Sequence, residues 1–280
     1  MNNLKAITLM GILSVILIVL GGAYGGPRGA TIFLFISLAM NLFSYFYSDK
    51  MAIAMTRSQP VSEQEAPELY AIIRNLAKRA RLPMPKVYIT PSQQPNAFAT
   101  GRNPQHSAVA VTEGLLHLCN RDELEGVLAH ELAHIANRDI LVSTIAAAFA
   151  GAITWIANMI QWGAIFGGMR GGDNEEGGGI GALVLAIIAP IAATIVQLSI
   201  SRSREYGADE LGARIAGSPD GLANALLKLE RAAQQIPMQV NPAASHMFIT
   251  NPLSARSVGR LFSTHPPIQE RVQRLRQLRF

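Results

Sequence analysis

The sequence predicts an α+β protein, predominantly helical and integral to a membrane, with about four transmembrane helices and a small sheet in its water-exposed part. Three observations carry that expectation. Charged residues make up only 15% of the 280 positions, against roughly 25% in soluble domains. The deficit is concentrated, because the stretches 6–27, 29–48, 140–169 and 177–201 contain no Asp, Glu, Lys or Arg. Outside them the charge density is ordinary, and apolar spacing alternates between the 3.6-residue period of helices and the two-residue period of strands. This pattern argues against a wholly soluble protein and against a disordered chain. The net charge of +5 comes without a dense basic run, so no nucleic-acid partner is expected. The single cysteine, Cys119, excludes an internal disulfide and, among apolar neighbours, reads as a buried inert thiol.

Each charge-free stretch reaches the ~20 residues that a helix needs to cross a bilayer core. Spans are therefore expected near 6–24, 30–47, 141–165 and 180–200. Lys5 ahead of the first apolar run looks like the start of a signal peptide. The run is long, however, and a second hydrophobic stretch follows the turn at Gly25, Gly26 and Pro27, so a helical hairpin is expected. The segments at 141–165 and 180–200 are rich in Ala and Gly, which suits close helix packing. Arg28 and Arg170 stand in the two hairpin turns, and the other 22 of 24 Lys and Arg fall on the opposite side. By the positive-inside rule, both termini and both large hydrophilic segments face the cytoplasm. The chain then divides into a transmembrane hairpin (1–48), a cytoplasmic part (49–139), a second hairpin with a Gly-rich acidic loop (140–201) and a cytoplasmic C-terminal part (202–280).

Within 49–139, helical periodicity runs through Leu69, Ile72, Ile73 and Leu76, and Pro83 and Pro85 end it. The runs KVYIT (86–90), NAFAT (96–100) and SAVAVT (107–112) alternate and are bounded by Pro, Gly and Asn, the signature of a small sheet. Helical spacing returns at 115–119 and 122–138. Beyond the last span, 209–216, 220–235 and 267–278 read as helices and 237–260 as loop.

The sharpest local signal is His130-Glu131-Leu132-Ala133-His134. Residues four apart share a helical face, so two imidazoles can grip one Zn2+ while the Glu between them acts as general base on a water at the metal. Leu124, Val127 and Leu128 precede the motif at core spacing, which favours a packed helix over a pair of surface histidines. A catalytic site needs a third protein ligand and an open position. Asp139 follows five residues after His134, off the ligand face, and is expected to tie the helix to the membrane boundary. Glu205 and Asp209 lie four apart on one face, so that one carboxylate can bind the metal while the other hydrogen-bonds a ligand imidazole. If the motif helix ran straight into the third apolar stretch, His134 would sit about 9 Å before it and Glu205 about 7.5 Å past the fourth. The site would then be close to the membrane surface.

HELAHIANRD (130–139), followed after two hydrophobic segments by EYGAD (205–209), resembles the membrane-bound M48 metallopeptidases. The resemblance runs the length of the chain through two N-terminal spans, NAFATG (96–101) and STHPP (263–267). It implies a cytoplasmic zincin-like metallopeptidase domain, one Zn2+ per subunit on His130, His134 and Glu205, Glu131 as catalytic base, and Asp209 supporting a ligand. It also implies a multi-pass protein of the bacterial inner membrane, acting in the heat-shock response. There it would cleave misfolded or damaged membrane proteins in envelope quality control, linked functionally to other membrane quality-control proteases.

NAFATG reads either as an edge strand that aligns an extended substrate through Asn96, Ala97 and Phe98 or as a core strand with Asn96 in a turn; the resemblance favours the first. His265 could be a second catalytic group, donating to the tetrahedral oxyanion, or simply enter the final helix ahead of Pro266 and Pro267. Arg271 reads as part of a solvated helix face, with pairing to an acidic group of the site as the alternative. His106, His117 and His246 have no ligand spacing. Two other functions compete with endopeptidase activity. One is a CaaX-type prenyl-protein protease, whose members enclose their site in more helices than the four expected here. The other is a non-catalytic zinc-containing membrane chaperone or adaptor, which conflicts with the absence of a saturating four-ligand set.

Overall fold

A computed structural model of the chain describes residues 2–143, 145, 202–236, 247–250 and 266–279. The span expected at 180–200, all but the first turn of that at 141–165, and His265 lie outside the described residues.

The N-terminal helix α1 (Asn2–Met55) is two helices joined at Gly26, whose φ of 60° and ψ of −149° lie where L side chains are strained. Pro27 then opens the second arm, where its missing N–H costs nothing. The arms fold against each other as the sequence pattern anticipates. Asn41 Nδ2 donates to Ser14 Oγ across them at 2.8 Å, and a Cβ on Gly21 would lie 2.6 Å from Gly29 O, so only glycine permits this approach. The stretch Gly25–Tyr47 of the second arm, with mean hydropathy 1.6, is long and apolar enough to cross a membrane. Its outer face exposes Ile32, Phe35, Leu38 and Leu42, the side chains a bilayer would cover. The arm continues into the body, where Ala52 packs with Phe98, Ala110 and Phe248.

Four strands follow: β1 (Gln59–Pro60), β2 (Lys86–Thr90), β3 (Ala97–Asn103) and β4 (His106–Thr112). The last three are the runs read from the sequence, and β1 is too short to show alternation. The spatial order is β1-β2-β4-β3, with β2 and β4 parallel and the other pairs antiparallel. β3 is therefore an edge strand among the described residues. Helix α2 (Pro67–Arg79) buries Leu69, Ile72, Ile73, Leu76 and Ala77, the stripe its periodicity marks.

Helices α3 (Glu113–Leu118) and α4 (Arg121–Ala136) come next. α4 begins at a capping box, in which Asn120 and Glu123 satisfy each other's backbone N–H groups, and it is buried on nearly every face. α5 (Arg202–Ala216), α6 (Asp220–Gln235) and α7 (Ile268–Gln277) complete the body. α5 is helical from Arg202, where the described residues resume, and carries Glu205 and Asp209 on one helix, as their spacing anticipates. Glycines let α4 and α6 meet closely: a Cβ on Gly126 would meet Leu222 N at 2.3 Å, and one on Gly221 would meet Asp122 O at 2.2 Å. The hydrophilic parts before and after the second apolar region thus share one core, from Ile73 and Val109 through Leu128 and Leu132 to Leu226 and Leu275.

The motif helix does not run straight on, contrary to the simplest sequence reading. Asn137 caps it, Arg138 takes a left-handed φ of 58°, and the chain folds back so that Asp139 N–H donates to His134 O at 2.9 Å. Helical structure resumes only at Ile140.

Candidate active site

α4 presents His130, Glu131 and His134 toward α5 and the sheet. His130 and Glu131 are buried and His134 is partly so. The two Nε2 atoms lie 3.2 Å apart. Each ring's other nitrogen is engaged by a carboxylate: His130 Nδ1 is 3.0 Å from Asp209 Oδ1, and His134 Nδ1 is 3.2 Å from Asp139 Oδ2. A neutral imidazole that donates through Nδ1 keeps only a lone pair at Nε2. Two such lone pairs face each other at 3.2 Å, with Arg271 Nη2 at 3.4 Å from that of His130, and would repel without a cation or a proton nearby. Glu205 completes the set, with Oε1 3.5 Å from His134 Nε2 and Oε2 3.8 Å from His130 Nε2. One donor atom from each of the three residues falls within 4.8 Å of the others. Two imidazoles held by carboxylates plus one carboxylate oxygen is a donor set that suits a divalent transition metal.

The packing of α5 on α4 explains how Glu205 arrives. A Cβ on Gly212 would stand 2.8 Å from His130 Cα, so the helices meet backbone to backbone at that point. Asp209 and Glu205 lie three and seven residues before Gly212, on the same helical face, and project over the two histidines. The break at Arg138 has the corresponding effect at the other end, turning Asp139 back onto the ring of His134. The sequence reading placed Asp139 off the ligand face because it assumed an unbroken helix.

Arg271 is the residue that sequence reasoning misplaced most. It is 0% exposed, not part of a solvated face. Its Nε donates to Asp209 Oδ2 at 2.9 Å and its Nη2 to Asp209 Oδ1 at 2.7 Å, a bidentate pair. Its Nη1 donates to Ile249 O at 3.2 Å and lies 3.8 Å from Glu205 Oε2. A signal was present: Arg271 shares a helical face with Leu275, and a charged residue on the apolar stripe of a helix needs a buried partner.

Electrostatics follow from burial and these pairings. Burial, helped by the charge of Glu205, pushes the Glu131 carboxyl up to about 7, against the pull of His134, the Ala99 N–H that it accepts, and Arg271. Burial lowers His130 to about 4 despite the Asp209 hydrogen bond. For His134, burial is overcome by the Asp139 hydrogen bond and by Glu205 and Glu131, which raise it to about 9. Burial would raise Asp209, but the charge and hydrogen bonds of Arg271, together with His130, hold it well below the usual carboxylate range. A buried carboxylate beside two imidazoles is placed to exchange a proton with a group in the cavity.

β3 lies over Glu131 through Ala99. Asn96 and Ala97 sit at its head, where their outward groups take the segment 247–250: Ile249 N–H donates to Ala97 O at 3.0 Å, and Asn96 Nδ2 donates to Thr250 O at 2.8 Å. Phe98 turns its ring onto Phe248. His106 caps the β3–β4 turn by pairing with Asn103, and His117 is exposed, both far from ligand roles.

A buried HExxH helix whose histidines face a glutamate from a second helix, with the intervening carboxylate against the edge of a small sheet, defines the site of a metal-dependent peptidase. The chain belongs to peptidase family M48, whose model matches residues 63–279. It is 70% identical over 276 residues to the Protease HtpX homolog of Pelotomaculum thermopropionicum, covering 98% of each chain. It is 59% identical over 275 residues to that of Thermodesulfovibrio yellowstonii, again covering 98% of each. With that of Thermococcus kodakarensis it shares 53% identity over 276 residues, 98% of this chain and 95% of the other. Among solved structures it is similar in fold to the crystal structure of S. mikatae Ste24p. That match has a TM-score of 0.52 at 20% identity and covers 97% of this chain and 64% of the other.

Proposed function

We propose that this protein is a membrane-anchored zinc endopeptidase whose site opens on the cytoplasmic face and cleaves misfolded or damaged membrane proteins. Family membership supports peptidase activity, and the apolar arm Gly25–Tyr47 supports attachment to a membrane. Four spans and a cytoplasmic site are read from the charge-free stretches and the one-sided placement of Lys and Arg, and an inner-membrane location is what the family resemblance implies. The observation that carries the metal assignment is the pair of imidazoles, each oriented by an aspartate, facing each other and Glu205.

In this reading His130, His134 and Glu205 hold the zinc, and Asp209 and Asp139 fix the two rings. When bound, zinc supplies a Lewis acid that acidifies water and polarises the peptide carbonyl. Glu131 accepts the proton of the attacking water at its carboxylate and returns it to the leaving amine. The N–H of Ala99 orients that carboxylate, and β3 offers its outer edge to the substrate backbone. Asn96 and Ala97 are the residues that would grip the chain, with Phe98 filling the space beneath.

Glu131→Gln tests the proposal. Zinc content should be unchanged, while cleavage of a membrane substrate by purified, zinc-loaded protein should fall about 10²–10⁴-fold, the usual contribution of a general base. Undiminished cleavage would reject the mechanism and favour a chaperone or adaptor role.

A further inference from the structure

The edge of β3 is where a peptide would pair, and a segment of the protein's own chain already occupies it. Three hydrogen bonds seat Met247–Thr250 there. Ile249 N–H donates to Ala97 O at 3.0 Å, Thr250 N–H to Asn96 Oδ1 at 3.2 Å, and Asn96 Nδ2 to Thr250 O at 2.8 Å. The Asn96 carboxamide thus reads one residue's backbone through both its donor and its acceptor, as it would read a substrate residue. A fourth bond, from Arg271 Nη1 to Ile249 O at 3.2 Å, ties the segment to the group that orients Asp209. Phe248 is fully buried, its ring edge-on to Phe98 with centroids 5.1 Å apart.

The consequence is steric. Met247, Phe248 and Ile249 roof the cavity above His130, Glu131, His134 and Glu205, whose volume is about 30 Å³. That is room on the scale of one water molecule, and no peptide fits in it. Two outward groups of β3 near the metal site are also engaged: Ala97 O by Ile249 and Ala99 N–H by Glu131.

We propose that Met247–Thr250 is an autoinhibitory strap, which closes the peptide-binding edge in the resting protein and is displaced when an unfolded polypeptide binds. The inference rests on the peptidase reading above and adds regulation to it. Because the strap is attached to the same chain, it competes at high effective concentration. Apparent substrate affinity is reduced by the fraction of molecules in which the edge is open. Only a segment that is long, extended and free of its own structure makes enough contacts to replace it, which gives the site a preference for unfolded chain.

The test uses full-length, zinc-loaded protein in detergent with Glu131→Gln in place, so that binding is read without cleavage, and fluorescein-labelled β-casein as the unfolded polypeptide. Ile249→Pro removes the N–H that bonds Ala97 O. The variant carrying both substitutions should bind casein on the order of tenfold more tightly than Glu131→Gln alone. In Glu131→Gln itself, hydrogen exchange should show the amides of Ile249 and Thr250 losing protection on casein binding while those of β3 keep theirs. This second measurement decides the matter if Ile249→Pro loses zinc or fails to fold. Equal or weaker casein binding by a zinc-replete Ile249→Pro variant overturns the strap. Continued protection of residues 249 and 250 at saturating casein does the same, as does the absence of casein binding by either form. Loss of casein cleavage in Glu131→Gln tests the peptidase reading separately, so the two can fail independently.

Discussion

The two halves of the site are built in opposite ways. On α4 the histidine pair is a local property: His130 and His134 are one turn apart, and any helix over those residues puts them on one face. The helix is started by its own capping box, Asn120 with Glu123. The other half is assembled from afar. Asp209 and its partner Arg271 are 62 residues apart, and they meet α4 only because Gly212 lets α5 approach to backbone contact. The comparison teaches that helical spacing guarantees where two imidazoles stand but not how they are turned. The contacts that can aim them come from Asp209 and Asp139, and each reaches its ring through a structural device: a glycine contact for the first, and for the second a left-handed residue that ends the helix.

If this division is right, damage to the distant half should cost more than damage to the local one. The largest effect is expected for Arg271→Ala, which leaves the Asp209 carboxylate buried without its bidentate partner. Breaking such a pair costs about 3–5 kcal/mol, read as a large fall in thermal stability in detergent together with weaker zinc binding. Pairing it with Asp209→Asn should recover part of the loss, because the stranded charge is gone, and a double-mutant cycle measures this. A loss below about 1 kcal/mol would reduce Arg271 to the surface residue its sequence position suggested.

Asp209→Asn alone comes next. It weakens the acceptor for His130 Nδ1 without emptying the space, and zinc affinity by chelator competition should drop about 10–100-fold. The smallest effect belongs to Asn120→Ala, which removes half of the capping box on α4. About 1 kcal/mol of stability should be lost with zinc affinity unchanged, because the start of the helix does not aim the rings. A comparable fall in zinc affinity in this variant would erase the distinction between the halves.

Much of the fold was legible along the chain. The three longer strands and the stripe on α2 follow from period-two and period-3.6 apolar spacing, and the first hairpin from its Gly-Gly-Pro turn. β1 was not legible, since two residues show no period. At the site, the HExxH spacing and the Glu205–Asp209 pair were readable as two faces of two helices. Arg271 was read from its charge when its place on an apolar stripe was the better guide. Asp139 was read from an ideal helix, and no spacing rule announces a left-handed arginine at its end.

By itself the sequence determined what short-range geometry can encode: which stretches avoid water, which residues share a helical face, and therefore that two histidines and a glutamate form one chemical unit. Only the tertiary structure decided that Glu205 joins them, that Arg271 is buried behind Asp209, and that Met247–Thr250 lies across β3. The reason is physical. Spacing along a helix is fixed by 1.5 Å and 100° per residue, whereas contacts between distant segments depend on how closely backbones approach, and that is set by the absence of a side chain at positions such as Gly212 and Gly126.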